Sequence, residues 1–90
     1  MIEFEKALYT SPYVTSHRKD ICDRLKRGEM VLGYFALYLN PETGMPEFIP
    51  SYMPHAKYFK RQKIRIIGLA ENYDYALRYL AHAAGRRYGK

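Results

Sequence analysis

The sequence predicts an α+β fold, in which two helices pack on a sheet of about four strands in a single compact domain spanning residues 1–90. Two observations lead to this class: four segments have the apolar pattern and length of strands, and two others repeat apolar residues at helical spacing. A chain of 90 residues is long enough for one small core. The predicted order is β-α-β-β-β-α, which favours two layers, with the helices on an antiparallel or mixed sheet.

The first two elements are a strand and a helix. Residues 2–9 alternate roughly between apolar and polar side chains, which is the period of a half-buried strand, with a short helix as the alternative. Thr15 and Ser16 are favourable N-cap residues, and Gly28 has the position of a glycine that follows a helix C-terminus. These signals predict a helix over residues 16–27.

The middle of the chain predicts a hairpin. Nearly every residue from 30 to 39 is apolar or tyrosine, on both alternations, which favours a central strand covered on both faces. Residues 40–44, N-P-E-T-G, have the length of a hairpin loop and offer a glycine for a left-handed position. A second strand follows near residues 46–52, and its prolines place it at an edge of the sheet, because proline has no backbone donor.

The last two elements are a strand over residues 64–69 and a helix that begins after Asn72. Helical spacing predicts one buried stripe, made of Tyr73, Ala76, Leu77, Leu80, Ala81 and Ala84. The opposite face is predicted to be exposed, aromatic and cationic, and it collects Tyr75, Arg78, Tyr79, His82 and Arg86. Residues 86–90 are expected to form a basic, frayed end.

Positive charge is concentrated in the C-terminal part of the chain. The formal net charge is +6; residues 1–54 contain six basic and seven acidic residues, and residues 55–90 contain nine and two. Residues 57–65 read K-Y-F-K-R-Q-K-I-R, with five cations, two aromatic rings and no acid. Such a stretch suits a polyanion, because cations displace counterions from phosphates and rings stack on bases.

The sequence therefore predicts a non-catalytic binding surface for nucleic acid or for a complex that contains nucleic acid. Its candidate residues lie in the basic stretch and on the outer face of the last helix: Lys57, Tyr58, Lys60, Arg61, Lys63, Arg65, Arg78, Tyr79, His82, Arg86 and Arg87. A plainer interpretation is that the stretch is a solvated edge that prevents aggregation. The helix face also has a plainer interpretation, because Asp74 and Arg78 can form an ordinary i, i+4 pair.

Two other functions stay open. A small, tyrosine-rich chain also suits a phage or mobile-element protein that binds and inhibits a host protein, as anti-CRISPR proteins do, because tyrosine and arginine dominate protein interfaces. The third possibility is a ribosome-dependent, RNA-cleaving toxin that uses Arg, Lys, Tyr and His side chains for proton transfer and charge stabilisation.

The sequence also limits the chemistry that the protein can perform and its cellular location. The three histidines lack metal-ligand spacing and the acids form no recognisable catalytic pair, so we predict no enzyme activity, no metal and no cofactor. Cys22 is the single cysteine, which excludes an internal disulfide. No apolar run approaches the roughly 18 residues that cross a bilayer, so we expect a cytoplasmic protein without a membrane partner. The sequence does not predict the oligomeric state.

Overall fold

The computed structural model describes residues 2–52 and 63–85, which contain four strands and three helices. The strands are β1 (Ile2–Thr10), β2 (Phe35–Leu39), β3 (Pro46–Pro50) and β4 (Ile64–Ala70). The helices are α1 (Pro12–Ser16), α2 (Arg18–Lys26) and α3 (Tyr73–Ala84). The predicted α+β class and the order of its elements are confirmed, with two short helices in place of the first predicted one.

The strands form one mixed sheet in the order β1-β4-β2-β3. β1 is parallel to β4, whereas β2 is antiparallel to both of its neighbours. The inner strands are β4 and β2, and β3 lies at an edge, as its prolines predict.

The two faces of the sheet carry separate buried clusters. Along β2, Ala36 and Tyr38 belong to the first cluster and Leu37 to the second, as alternating side chains require. Helices α1 and α2 contribute three side chains to the first cluster: Val14, Ile21 and Leu25. Helix α3 contributes two alanines to the second: Ala76 and Ala83. Helices thus lie on both faces, which gives three layers where the sequence predicts two, because the inner strands are apolar on both faces.

The predicted helix over residues 16–27 is divided into α1 and α2, which meet at His17. The helical region starts earlier than predicted, because Ser11 and Pro12 occupy the N-cap and the first helical position. Proline suits that position, since its φ is already helical and its missing N–H would have no partner there.

Ser11 and Glu71 connect the start of α1 to the turn before α3. The buried Ser11 hydroxyl accepts a hydrogen bond from the Glu71 backbone N–H at 2.9 Å. In return, Glu71 Oε1 accepts one from the Tyr13 backbone N–H at 2.7 Å, inside the first turn of α1. The N-terminus of α1 is therefore capped by a residue from a distant part of the chain.

The predicted strand over residues 30–39 is shorter in the structure, because β2 begins only at Phe35. Ser51 holds the preceding loop: its hydroxyl donates to the Val31 carbonyl at 2.7 Å and accepts from the Tyr34 N–H at 3.2 Å. Two apolar side chains of this loop are exposed, Met30 and Leu32. The apolar run therefore continues beyond the strand into surface residues.

The last helix begins where predicted, and Ala76 and Leu80 of the predicted stripe pack against the second cluster, but the helix is rotated so that the other members of the stripe are exposed. The prediction that Leu77 is buried is wrong, because 41% of this residue is exposed. Tyr79, predicted to lie on the outer face, is half-buried and packs against the second cluster beside Leu80. The line of closest approach to the sheet is formed by Ala76 and Ala83, whose small side chains are fully buried.

Candidate binding surface

Five of the eleven predicted site residues lie in the described part of the chain. Lys63 and Arg65 are at the start of β4, and three others are on α3: Arg78, Tyr79 and His82. The remaining six lie outside the described residues: Lys57, Tyr58, Lys60, Arg61, Arg86 and Arg87.

Lys63, directly before β4, and Arg65 of β4 are paired with acids of β1. Lys63 Nζ lies 3.3 Å from Glu3 Oε1, and the Arg65 guanidinium contacts the Glu5 carboxylate. These pairs form because β1 and β4 are parallel neighbours, with Glu3 beside Arg65 in the register of the sheet. Lys63 and Arg65 therefore form ion pairs at the surface, and their contact with a partner stays a prediction.

The three predicted residues of α3 lie in a connected row of aromatic side chains. Tyr9 of β1 stacks on Tyr79, with ring centres 5.6 Å apart and planes at 22°, and meets the His82 ring edge-on at 5.4 Å. The Tyr75 ring lies 6.1 Å from that of Tyr79, and the Arg78 guanidinium lies 5.6 Å from the centre of the Tyr75 ring. These five residues, Tyr9, Tyr75, Arg78, Tyr79 and His82, are called the tyrosine row below.

Helical spacing and one glycine place the tyrosine row. Tyr75, Tyr79 and His82 recur at i, i+4 and i+7, which puts them on one flank of α3. Tyr9 is opposite Gly68 in the register of β1 and β4. A Cβ on Gly68 would lie only 3.1 Å from the Tyr9 Cβ, so a glycine here leaves the space that Tyr9 uses. Tyr9 and Tyr75 are not among the predicted site residues: Tyr75 is predicted only to lie on the outer face of the helix, and the place of Tyr9 depends on strand pairing across the chain.

Partial burial sets the electrostatics of the tyrosine row. Burial, and secondarily the neighbouring Tyr75, raises the pKa of Tyr79 above its ordinary value. A tyrosine hydroxyl, whose ordinary pKa is about 10, is protonated at neutral pH and can donate a hydrogen bond. Arg78 is exposed beside the Tyr75 ring and supplies a permanent positive charge in a cation–π contact. The row thus combines flat aromatic faces with a cation at one end.

A second aromatic group lies on the opposite flank of α3. Tyr73 meets Phe35 and Phe48 edge-on, with ring centres 6.1 and 5.6 Å away. Tyr73 is 54% exposed, and Leu77, one helical turn later, is also exposed. Both residues are predicted from the sequence to be buried, and the rotation of α3 that exposes them has no signal within the helix itself.

In residues 2–52 and 63–85, no group of three His, Cys, Asp or Glu side chains is placed to hold a metal ion. Within the same ranges, no helix has the length and apolar composition needed to cross a membrane. A scan against protein-family models, a search of curated proteins and a search of solved structures each found no match.

Proposed function

We propose that the protein is a small, basic, non-catalytic binding protein that contacts single-stranded nucleic acid through the tyrosine row. The observation that carries the proposal is the stack of Tyr9 on Tyr79, with a histidine ring and an arginine beside it. Bases of a single strand can stack on such rings, and a neighbouring arginine adds cation–π and phosphate contacts. Because the two stacked tyrosines are half-buried, they lose little conformational freedom when a base binds.

The distribution of charge supports the same class of partner. The described residues contain nine basic and nine acidic residues, so their formal charges balance. The whole net charge of +6 comes from residues 53–62 and 86–90, which contain three basic residues each and no acid. The second of these segments follows α3 directly in sequence. Its cations attract phosphates toward the helix that carries the tyrosine row.

Fluorescence anisotropy with labelled RNA or DNA single strands of about 12 nucleotides tests this proposal, since small domains cover about 4–16 nucleotides. If three to five cations contact phosphates, the logarithm of the binding constant should fall against the logarithm of salt concentration with a slope of about −2 to −5. A flat salt response would contradict a polyanion as the partner.

Stacking is tested separately from charge with a matched pair of variants on α3. Tyr79→Leu removes a ring of the tyrosine row, and Tyr73→Leu removes a ring from the opposite flank. Loss of one stacked base costs about 1–3 kcal/mol, so Tyr79→Leu should weaken binding by about 5- to 150-fold. Tyr73→Leu should bind like the wild type. Circular dichroism and thermal melting must show that both variants are folded, and equal affinity of both would remove the tyrosine row from the proposal.

The non-catalytic part of the proposal has its own assay. RNA and DNA should stay intact in the presence of the protein, with or without Mg²⁺ or Zn²⁺. Cleavage that is lost in His82→Ala would instead favour the RNA-cleaving toxin. Because such a toxin can depend on the ribosome, growth of cells that express the protein must be measured as well.

A host protein is the second candidate partner, as for a phage or mobile-element inhibitor, and the exposed flank of α3 favours it. Tyr73 and Leu77 are large apolar residues on the surface, next to Phe48 of an edge strand. Tyrosine and apolar side chains in such a patch are typical of protein interfaces. Copurification of one host protein, lost in a Tyr73→Ser and Leu77→Ser double variant, would favour this candidate.

For either partner we propose a cytoplasmic location, where the free thiol of Cys22 stays reduced.

A further inference from the structure

The two edges of the sheet differ in their capacity to accept another strand. At the β3 edge, the Ser51 N–H donates a hydrogen bond to the Tyr34 carbonyl at 2.7 Å. In an antiparallel pair, residues that bond to the neighbouring strand alternate with residues that do not, so this bond fixes which residues of β3 bond to β2. Three residues of β3 therefore direct their backbone groups away from β2: Pro46, Phe48 and Pro50. Of these, only Phe48 has an N–H group, so the β3 edge offers an added strand a single donor.

The β1 edge is different. β1 contains no proline between Ile2 and Thr10, and no other strand in residues 2–52 and 63–85 pairs with its outer side. Residues 2–4 pair one to one with residues of β4. Between Phe4 and Tyr9, however, β1 advances by five residues while β4 advances by two, so β1 contains a bulge there. The regular part of β1 can therefore pair with another strand, while the bulge after it limits how far that pairing extends.

A groove of about 520 Å³ lies between β1 and α2. Its apolar lining includes Phe4, Leu8 and Cys22. Three cations of α2 also line it: Arg18, Lys19 and Lys26. Lys19 is paired with Asp23 at 2.9 Å, but neither Arg18 nor Lys26 forms an ion pair with an acid among the described residues. The groove thus combines an apolar lining with more cations than acids, next to a strand edge that no strand of the described ranges covers.

We propose that β1 and α2 form a docking site for an extended, acidic peptide segment of a partner protein. The segment adds as a strand to the outer edge of β1, which supplies backbone hydrogen bonds. One apolar side chain of the segment enters the groove over Phe4 and Leu8, and two carboxylates bind Arg18 and Lys26, which are about 12 Å apart along α2. This site is on the other face of the sheet from the tyrosine row, because Phe4 and Leu8 pack with the first cluster and Tyr9 with the second.

A second copy of the chain suits this groove less well than an acidic peptide. If two β1 strands paired antiparallel about a twofold axis, both α2 helices would lie on the same side of the joined sheet. The cations of the two grooves would then approach one another, and like charges repel. A nucleic-acid strand also suits it less well, since it has no amide backbone to pair with the edge of β1.

Cys22 gives a direct measurement of groove occupancy, because it lines the groove and is the single cysteine of the chain. Burial raises the pKa of its thiol, so alkylation is followed at mildly alkaline pH. The probe is a blocked peptide of about six residues, the usual length of a strand, with glutamate, valine and glutamate at alternate positions and threonine between them, so that the valine and both carboxylates lie on the groove face. With this peptide at about ten times its Kd, the alkylation rate should fall about tenfold. No protection at about 1 mM peptide would overturn the proposal.

Three comparisons separate strand addition from simpler binding. A peptide with lysine in place of glutamate should not protect Cys22 in the wild type, but it should protect Cys22 in an Arg18→Glu and Lys26→Glu double variant. Circular dichroism must show that this variant is folded. An acidic peptide with N-methyl groups on alternate residues keeps its charge but loses backbone donors, and equal protection by it would overturn strand addition. If inorganic phosphate or an oligonucleotide protects Cys22 as well as the acidic peptide does, the groove binds that anion and the proposal is wrong. If the protein without peptide dimerises and Cys22 is protected in the dimer, the groove binds a second copy and the proposal is also wrong.

Discussion

A single glycine with a positive φ ends helix α2. Gly28 follows α2 with a φ of 76°, and its N–H donates to the Leu25 carbonyl at 3.0 Å. The next N–H, of Glu29, donates to the Arg24 carbonyl at 3.1 Å. This pair of bonds is a Schellman motif, and it satisfies carbonyls that the end of a helix leaves without partners.

Replacing Gly28 by alanine should lower the free energy of unfolding by about 1 kcal/mol, because a Cβ disfavours positive φ. Urea denaturation monitored by circular dichroism measures the difference. Gly85→Ala is the matched control: Gly85 also follows a helix, but its φ is −85° and an added Cβ would meet nothing closer than 3.7 Å. We expect Gly85→Ala to be as stable as the wild type or slightly more stable. Equal losses in both variants would show that positive φ is not the cause.

Glu29 contributes a pH-dependent part of stability at the same helix end. A hydrogen bond from Arg27, with Nε and Oε2 2.6 Å apart, lowers the pKa of the Glu29 carboxyl, and Arg24 adds to the effect. The charged form therefore stabilises the fold above the ordinary glutamate pKa of about 4.3, and this stabilisation is lost as the pH falls through the lowered folded-state pKa. We expect the Tm at low salt to fall more for the wild type than for Glu29→Gln on acidification from about pH 6 to about pH 3. Parallel curves would contradict a contribution from Glu29.

At the scale of elements, the features that the sequence predicts correctly have signals within a few residues. Asn72 caps α3 by accepting a hydrogen bond from the Tyr75 N–H at 3.0 Å. In the β2–β3 loop, Asn40 Oδ1 accepts one from the Glu42 N–H at 2.8 Å, and Gly44 has a φ of 73°. Such contacts join residues at most three positions apart, so the residue types alone identify them.

The features that the sequence does not predict depend on distant residues. The early start of α1 is supported by Glu71, and the loop before β2 is held by Ser51. The parallel register of β1 and β4 brings Tyr9 opposite Gly68 and so places it in the tyrosine row. The rotation of α3 is similar, because tyrosines and alanines on both flanks allow either side to face the sheet. Only the packed sheet decides between them.

The rotation of α3 leads to a prediction about two leucines. Leu80 packs against the second cluster, whereas Leu77 is 41% exposed. Leu80→Ala should lower the free energy of unfolding by about 2 kcal/mol, the lower end for a leucine core truncation, because Leu80 is only partly buried. Leu77→Ala should cost less than about 1 kcal/mol, since it removes less buried apolar surface. Chemical denaturation of both variants is the test, and equal losses would restore the stripe that the sequence predicts.

At the scale of the whole molecule, the sheet separates the two proposed contacts. The tyrosine row lies with α3 on one face, and the groove beside α2 lies on the other. They share no side chain. We therefore expect the acidic peptide and an oligonucleotide to bind independently, with equal oligonucleotide affinity in the presence and absence of saturating peptide. Competition between them would show that both use one site.

The chain carries two kinds of cation, and a pair of double variants distinguishes them. Lys63 and Arg65 are engaged by Glu3 and Glu5, whereas Lys60 and Arg61 belong to residues 53–62, which contain no acid. Changing either pair to glutamine removes the same formal charge, so both variants should bind nucleic acid more weakly at low salt.

The slope of the salt dependence separates direct phosphate contacts from this general effect of charge. If Lys60 and Arg61 each contact a phosphate, their double variant should have a slope that is smaller in magnitude by about 1.4 to 1.8, at about 0.7 to 0.9 per contact. The Lys63→Gln and Arg65→Gln variant should keep the wild-type slope, because these side chains contact carboxylates of β1. A reduced slope in this second variant would mean that the ion pairs open when nucleic acid binds. Wild-type slopes in both variants would leave Arg78 and the cations of residues 86–90 as the phosphate contacts.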